Sequence, residues 1–141
     1  MVNNNYSICN QHKISIAPMM DCTDRHFRMI MRQISSHALL YTEMIVAQSL
    51  IFSNKREKFL DFNKEEHPIS IQFGGDNPKY LSEAAKMAED WGYDEINFNV
   101  GCPSSKVSAG NFGAALMNHP EQVRVCIEAL KNNCTLPVTI K

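Results

Sequence analysis

Apolar residues recur along the chain at two spacings, and the two alternate. Ile14 and Ile16 flank Ser15 in residues 13–17, a period-two pattern that predicts a short strand stopped by Pro18. Phe27, Ile30, Met31 and Ile34 follow at helical spacing and predict a helix with those four as its buried stripe. Thr23 stands where its cap belongs, and Asp24 falls in the first turn, near the positive end of the helix dipole. Residues 38–42 read as a second strand, with Glu43 and Met44 just beyond its C-terminal end, and residues 46–52 as a short helix. The polar stretch 53–67 predicts a long surface connection with one helical turn.

Residues 68–73 predict a third strand, ended by Gly74 and Gly75. Asn77 and Pro78 then supply a capping amide and a first-turn proline. Tyr80, Leu81, Ala84, Ala85, Met87, Ala88 and Trp91 line that helix, and Gly92 closes it. A fourth strand is expected over 95–100, then a Gly/Ser/Ala-rich loop over 101–117. Pro120 opens a helix with Val123, Ile127 and Leu130 on one face, and residues 136–141 form a fifth strand.

Strands and helices in strict alternation, with long connections, predict an α/β fold with a parallel sheet. No Gly-x-Gly-x-x-Gly follows any strand, so the dinucleotide fingerprint of the open fold is missing. Pro18, Glu43, Gln72, Asn99 and Lys141 instead fall at the C-terminal ends of separate strands, where barrel enzymes gather their sites. A whole (β/α)8 TIM barrel takes about 250 residues. Five strands and four helices make up a little over half of one, so the expectation is the N-terminal part of a barrel, truncated, with its first and fifth strands as open edges.

The 141 residues correspond to one domain or part of one. Residues 1–12 read as a polar leader and 13–141 as the folded region. Hydrophobic residues make up 44% and charged residues 21%, as in soluble globular chains. A net charge of -1 excludes a self-sufficient nucleic-acid binder, so RNA contacts would need local patches or further sequence. The five cysteines show no CxxC spacing, which argues against a disulfide framework or a zinc site. The polar start carries no apolar signal core, and no stretch reaches the roughly 20 apolar residues that span a bilayer. The expectation is a cytoplasmic protein without a metal.

The stretch 97–107 concentrates the chemistry. Asn97 and Asn99 share strand parity, so both amides leave one face. Gly101 breaks the strand, and Cys102 follows, pinned by Pro103. A buried, small apolar Cys is the ordinary fate of a free thiol. The Asn-x-Asn-x-Gly-Cys-Pro setting turns the reading toward a presented thiol.

Four motifs come in order: Ala17-Pro18-Met19-Met20-Asp21-x-Thr23-Asp24-Arg25, Tyr41-Thr42-Glu43-Met44, Gln72-x-Gly74-Gly75, and Asp94-Glu95-Ile96-Asn97-x-Asn99-Val100-Gly101-Cys102-Pro103. Together they resemble the tRNA-dihydrouridine synthases over residues 13–141. Residues 93–97 and 111–114 are most similar to the A-type subfamily, which modifies positions 20 and 20a of the tRNA D-loop. Cys22 departs from that subfamily, which carries a bulkier residue there.

The resemblance implies reduction of the uracil C5=C6 bond in tRNA, with a hydride from reduced FMN to C6 and a proton to C5. NADPH would re-reduce the flavin. It implies that Cys102 is the acid; an ordinary thiol, with a pKa of about 8.5, is mostly protonated at neutral pH. Asn99 would contact the target nucleotide, and Asn97 either serves the flavin or satisfies backbone groups. Pro18, Met19 and Met20 would lie along the flavin ring, and Gln72 would pair with its pyrimidine edge. Lys141 would stabilise the charge of the reduced form. Lys106 would meet a tRNA phosphate. Glu43 is a site contact or a structural acceptor, and Arg25, Arg28 and Arg32 form a basic strip or a solvated helix face. The family's flavin-phosphate grip, a histidine near the flavin and the helical tRNA-binding domain would lie outside these residues. Two alternatives stay open: another FMN-barrel pyrimidine oxidoreductase of the dihydroorotate dehydrogenase kind, and a non-catalytic fragment that binds RNA or a partner supplying the rest of the barrel.

Overall fold

Polar and apolar side chains alternate without a break in β3 (Ile69–Gly74) and β4 (Glu95–Phe98), and this alternation decides how the sheet is covered. Ile69, Ile71 and Phe73 leave one face and are fully buried, as are Ile96 and Phe98 on the neighbouring strand. Ser70, Gln72, Glu95 and Asn97 leave the other face and are buried as well. The apolar face packs against α4 (Pro78–Trp91) and α5 (Pro120–Lys131), through Leu81, Ala84, Ala85 and Ala88 on the first and Cys126 and Leu130 on the second. Each large apolar side chain buried there stabilises the fold by about 1.5–3 kcal/mol. Asn77 caps α4 by accepting from the Lys79 amide, and Gly92 ends it in the left-handed conformation at φ 92°, as the sequence predicts.

The computed structural model describes residues 13–105, 107 and 110–141; the polar leader 1–12 and Lys106 lie outside the described residues. β1 (Ser15–Ile16), β2 (Leu39–Val46) and β5 (Val138–Ile140) complete one five-stranded sheet in the order β1-β2-β3-β4-β5, every neighbouring pair parallel. A doubly wound sheet would reverse its strand order at a switch point. Here each strand joins on the same side of the last, and the helices cover one face. That is the partial (β/α)8 barrel the sequence predicts.

Several local expectations are corrected. β2 runs to Val46, so Glu43 and Met44 lie inside it. An extra residue between Tyr41 and Met44 bulges the strand. After α2 (Ala47–Phe52), the 53–67 connection holds α3 (Glu57–Leu60) and a 3-10 turn at Lys64–Glu66, two helical turns where one is expected. The cap of α1 (Arg25–Ile34) is Asp24, which accepts from the Phe27 amide at 2.8 Å. Thr23 cannot serve, because its hydroxyl is committed to the backbone of Met19 at 3.1 Å.

The stripe expected on α1 is only half turned inward: Phe27 and Met31 are half-buried, Met31 against the core. Ile30 and Ile34 are 62% and 72% exposed, whereas Arg28 and Arg32 are buried. The cause is Glu66, fully buried on the 3-10 turn. Arg28 Nε donates to Glu66 Oε2 at 2.6 Å, and Arg32 Nη2 donates to the carbonyls of Glu66 and Pro68 at 2.8 and 3.0 Å. Arg25 pairs with Asp61 on the surface at 2.7 Å. The three arginines form no continuous basic strip: Arg28 and Arg32 are buried, and the exposed Arg25 is paired with the connection.

Candidate active site

The polar face of the sheet carries a continuous row of side-chain amides. Gln72 Nε2 donates to Asn97 Oδ1 at 2.7 Å, and Asn99 Nδ2 donates to Gln72 Oε1 at 3.0 Å. Asn97 Nδ2 donates to Thr139 Oγ1 on β5 at 2.9 Å. Gln72, Asn97 and Asn99 are only 1%, 3% and 5% exposed. Amides buried this deeply need partners, and each finds them in side chains of the adjacent strand. The sequence offered backbone groups as one set of partners for Asn97; its partners are Gln72 and Thr139.

Asn99 also sets the turn that presents Cys102. Its Oδ1 accepts from the amides of Gly101 at 3.2 Å and Cys102 at 3.0 Å, the local side-chain-to-backbone bonding that asparagine favours at strand exits. On its other side the Cys102 carbonyl accepts from the Ala114 amide at 3.0 Å. Gly113 lets that return segment pass so close. It sits at φ 65°, and a Cβ there would fall 2.8 Å from the Cys102 carbonyl oxygen. Cys102 is thus held by its backbone from both directions and is half-buried. Its thiol is free, as are those of the other described cysteines, Cys22, Cys126 and Cys134.

The loop after β1 carries the next group. Pro18 is buried, while Met19 and Met20 are exposed. Thr23, fully buried, bonds to both backbone groups of Met19, and Glu43 Oε1 accepts from the Asp21 amide at 2.5 Å. Asp21 sits at φ 59°, a left-handed conformation uncommon outside glycine. The β2 bulge aims Glu43 at this loop, so Glu43 is a structural acceptor. Thr42 repairs the ladder at the same point, accepting from the Gln72 amide at 3.0 Å.

Lys141 follows β5, and its Nζ lies 3.4 Å from the Pro18 carbonyl oxygen. The loop after β1 and the end of β5 therefore meet although their strands are the two edges of the sheet. The sheet curves around its polar face and brings Pro18, Gln72, Asn99, Cys102 and Lys141 to the C-terminal ends of its strands. A cavity of about 850 Å³ lies between β2, α1 and α3, with Met20, Glu43, Arg25 and Phe59 in its lining; none of Pro18, Gln72, Asn99, Cys102 and Lys141 lines it.

Two polar residues of this face, the buried Glu95 and the half-buried Thr139, are not among the sequence-predicted site residues. Glu95 Oε1 accepts from Tyr41 at 3.1 Å and from Ser70 and Thr139 at 2.9 Å each. Its other oxygen is buried without a hydrogen-bond partner among the described residues. The signal was present: Glu95 and Thr139 continue the polar positions of the alternation that includes Asn97 and Lys141.

Residues 15–141 match the model of the dihydrouridine synthase (Dus) family. The chain is 53% identical over 128 residues to a tRNA-dihydrouridine(20/20a) synthase of Synechocystis sp., an alignment covering 91% of this chain and 38% of that protein. The enzyme of the same name from Vibrio cholerae is 50% identical over 129 residues, covering 92% of this chain and 39% of that one. For the Escherichia coli O6:H1 relative the figures are 44% over 136 residues, 96% and 40%. The chain therefore spans about two-fifths of the length of the relatives it matches.

Proposed function

Because the chain belongs to the dihydrouridine synthase family, we propose that it supplies the proton-donating side of the site in an FMN- and NADPH-dependent tRNA-dihydrouridine synthase. The substrate in this reading is a uridine at position 20 or 20a of the tRNA D-loop, and the location is the cytoplasm. The observation that carries it is Cys102: a free thiol, half-buried, with its backbone fixed from both sides beside a row of buried amides.

The residues of the mouth fit a flavin. Gln72 spends one N–H and one lone pair on its neighbours and keeps one of each, the pattern that a pyrimidine-like ring edge complements. The Lys141 ammonium stands at the same end, against Pro18, where it would offset negative charge on a reduced ring. Pro18, Met19 and Met20 would lie along the ring. FMN held there would supply a hydride for C6 of the uracil, with NADPH as its reductant.

The chain's own residues do the rest. Cys102 breaks its S–H bond and gives that proton to C5, completing a two-electron, two-proton-equivalent saturation of the ring. The thiolate left behind is reprotonated from solvent, which the half-buried side chain can reach. Asn99 orients the base. Both lone pairs of its Oδ1 are taken by the Gly101 and Cys102 amides, so toward a pyrimidine it can only donate. A uracil carbonyl accepts that N–H; the amino group of cytosine does not. A uridine in a folded tRNA must leave its stack to enter a strand-end mouth, so base extrusion belongs to the reading. Lys106 is assigned to a phosphate of that tRNA.

A chimera tests the assignment. Residues 15–141 replace the matching segment of the Synechocystis relative, and the chimera is incubated with FMN, NADPH and tRNA lacking dihydrouridine. Dihydrouridine at positions 20 and 20a is the expected product. A well-folded, flavin-loaded chimera that makes none would overturn the proposal.

A further inference from the structure

We propose that Glu95 is a positioning residue for Cys102, acting through a one-way chain of hydrogen bonds that crosses three strands. The direction of the chain follows from its first member. The Cys102 amide can only donate, and it donates to Asn99 Oδ1, as does the Gly101 amide. That fixes which end of the Asn99 side chain is oxygen. Its Nδ2 must then donate, so the Gln72 atom it meets is Oε1. Gln72 Nε2 in turn donates to Asn97 Oδ1, and Asn97 Nδ2 donates to Thr139 Oγ1. With its lone pair so engaged, the Thr139 hydroxyl proton goes to Glu95 Oε1. From Cys102 to Glu95 five hydrogen bonds run head to tail, all in one direction.

Such a chain has to end on an atom that accepts and does not donate. A carboxylate is the side-chain group that meets this condition outright, and Glu95 is held for the task. It is fully buried, and Tyr41 and Ser70 donate to the same oxygen that Thr139 uses. In a low-dielectric interior, bonds in a row polarise one another, so a terminus that only accepts orders the whole row. Glu95 thereby sets the rotamers of three amides and, through Asn99, the turn that holds Cys102. This assignment rests on the reading of Cys102 as the proton donor for its catalytic meaning, but not for its geometry.

The test is hydrogen exchange at the Gly101 and Cys102 amides, read relative to Ala85 and Ala88 in α4 so that global destabilisation cancels. Thr139→Val keeps the side-chain shape and removes the link. Exchange at Gly101 and Cys102 should rise about five- to tenfold over the α4 amides, the scale of losing one hydrogen bond. Thr139→Ser restores the hydroxyl and should exchange like the parent. Glu95→Leu should behave like Thr139→Val. An unchanged ratio in Thr139→Val, or the same rise in Thr139→Ser, would overturn the proposal. Failure of the functional reading would look different: uridine reduction surviving Cys102→Ala while Gly101 and Cys102 stay protected in the parent.

Discussion

Lys141, after β5, reaches the carbonyl of Pro18, after β1, so the segments that follow the two outermost strands of the sheet touch. The contact is one long hydrogen bond, 3.4 Å, from an exposed lysine, so it adds little to stability. Lys141→Met should leave the thermal melt unchanged. In the chimera it should weaken FMN binding by about tenfold, on the scale of one charge-assisted contact. Flavin fluorescence titration reads the affinity, and equal affinity in the two proteins would separate Lys141 from the flavin.

The buried ion pair between Arg28 and Glu66 ties α1 to the connection before β3. Glu66 also accepts from the backbone and side chain of Asn63, at 2.7 and 2.8 Å. Glu66→Ala strands a buried guanidinium and should cost about 3–5 kcal/mol. Ile30→Ser, on the exposed side of the same helix, should change stability by less than about 0.5 kcal/mol. Urea melts measure both. The opposite order would mean that α1 packs through its isoleucines after all.

The thiols should differ in reactivity by position. Cys22 is exposed, whereas Cys126 is fully buried beside Gln122, and burial pushes its thiol up to about 11 from 9.0. Alkylation mapped by mass spectrometry should label Cys22 first and Cys126 only on unfolding.

The same shift has a pH signature. A group whose pKa is raised by folding adds stability in full below its unfolded value and loses it as pH rises through the folded value. Stability should therefore fall between pH 9.0 and about 11. Burial raises Cys134 and Tyr93 as well, so they contribute in the same direction. Cys126→Ala should reduce the alkaline slope without abolishing it, as urea melts across that window would report. A slope unaltered by Cys126→Ala would contradict the burial argument.

Where the sequence was readable, one principle carried it. Period-two alternation placed β3 and β4 and put Asn97 and Asn99 on one face, and Asn77-Pro78 with Gly92 bounded α4 almost to the residue. The reading failed where burial was decided by a distant partner. Nothing within α1 says that Arg28 and Arg32 face inward; that depends on Glu66, more than thirty residues away and itself in a stretch that looks like surface. The β2 bulge was equally hidden, because it is a relation between two strands. The break after β4 that precedes Cys102 was legible from Gly101 and Pro103. For Glu95 and Thr139 the alternation gives the face but not the partners, since it does not say which side chains on that face meet. Their importance lies in the bonds that join them to Asn97.

The most direct test of the central claim separates the two halves of the reaction in the chimera carrying Cys102→Ala. Rapid mixing follows flavin absorbance, first with NADPH and then with tRNA. NADPH should bleach the flavin at the parent rate, while tRNA should no longer reoxidise it and no dihydrouridine should form. Reoxidation by tRNA at the parent rate, with dihydrouridine as product, would remove Cys102 from the mechanism.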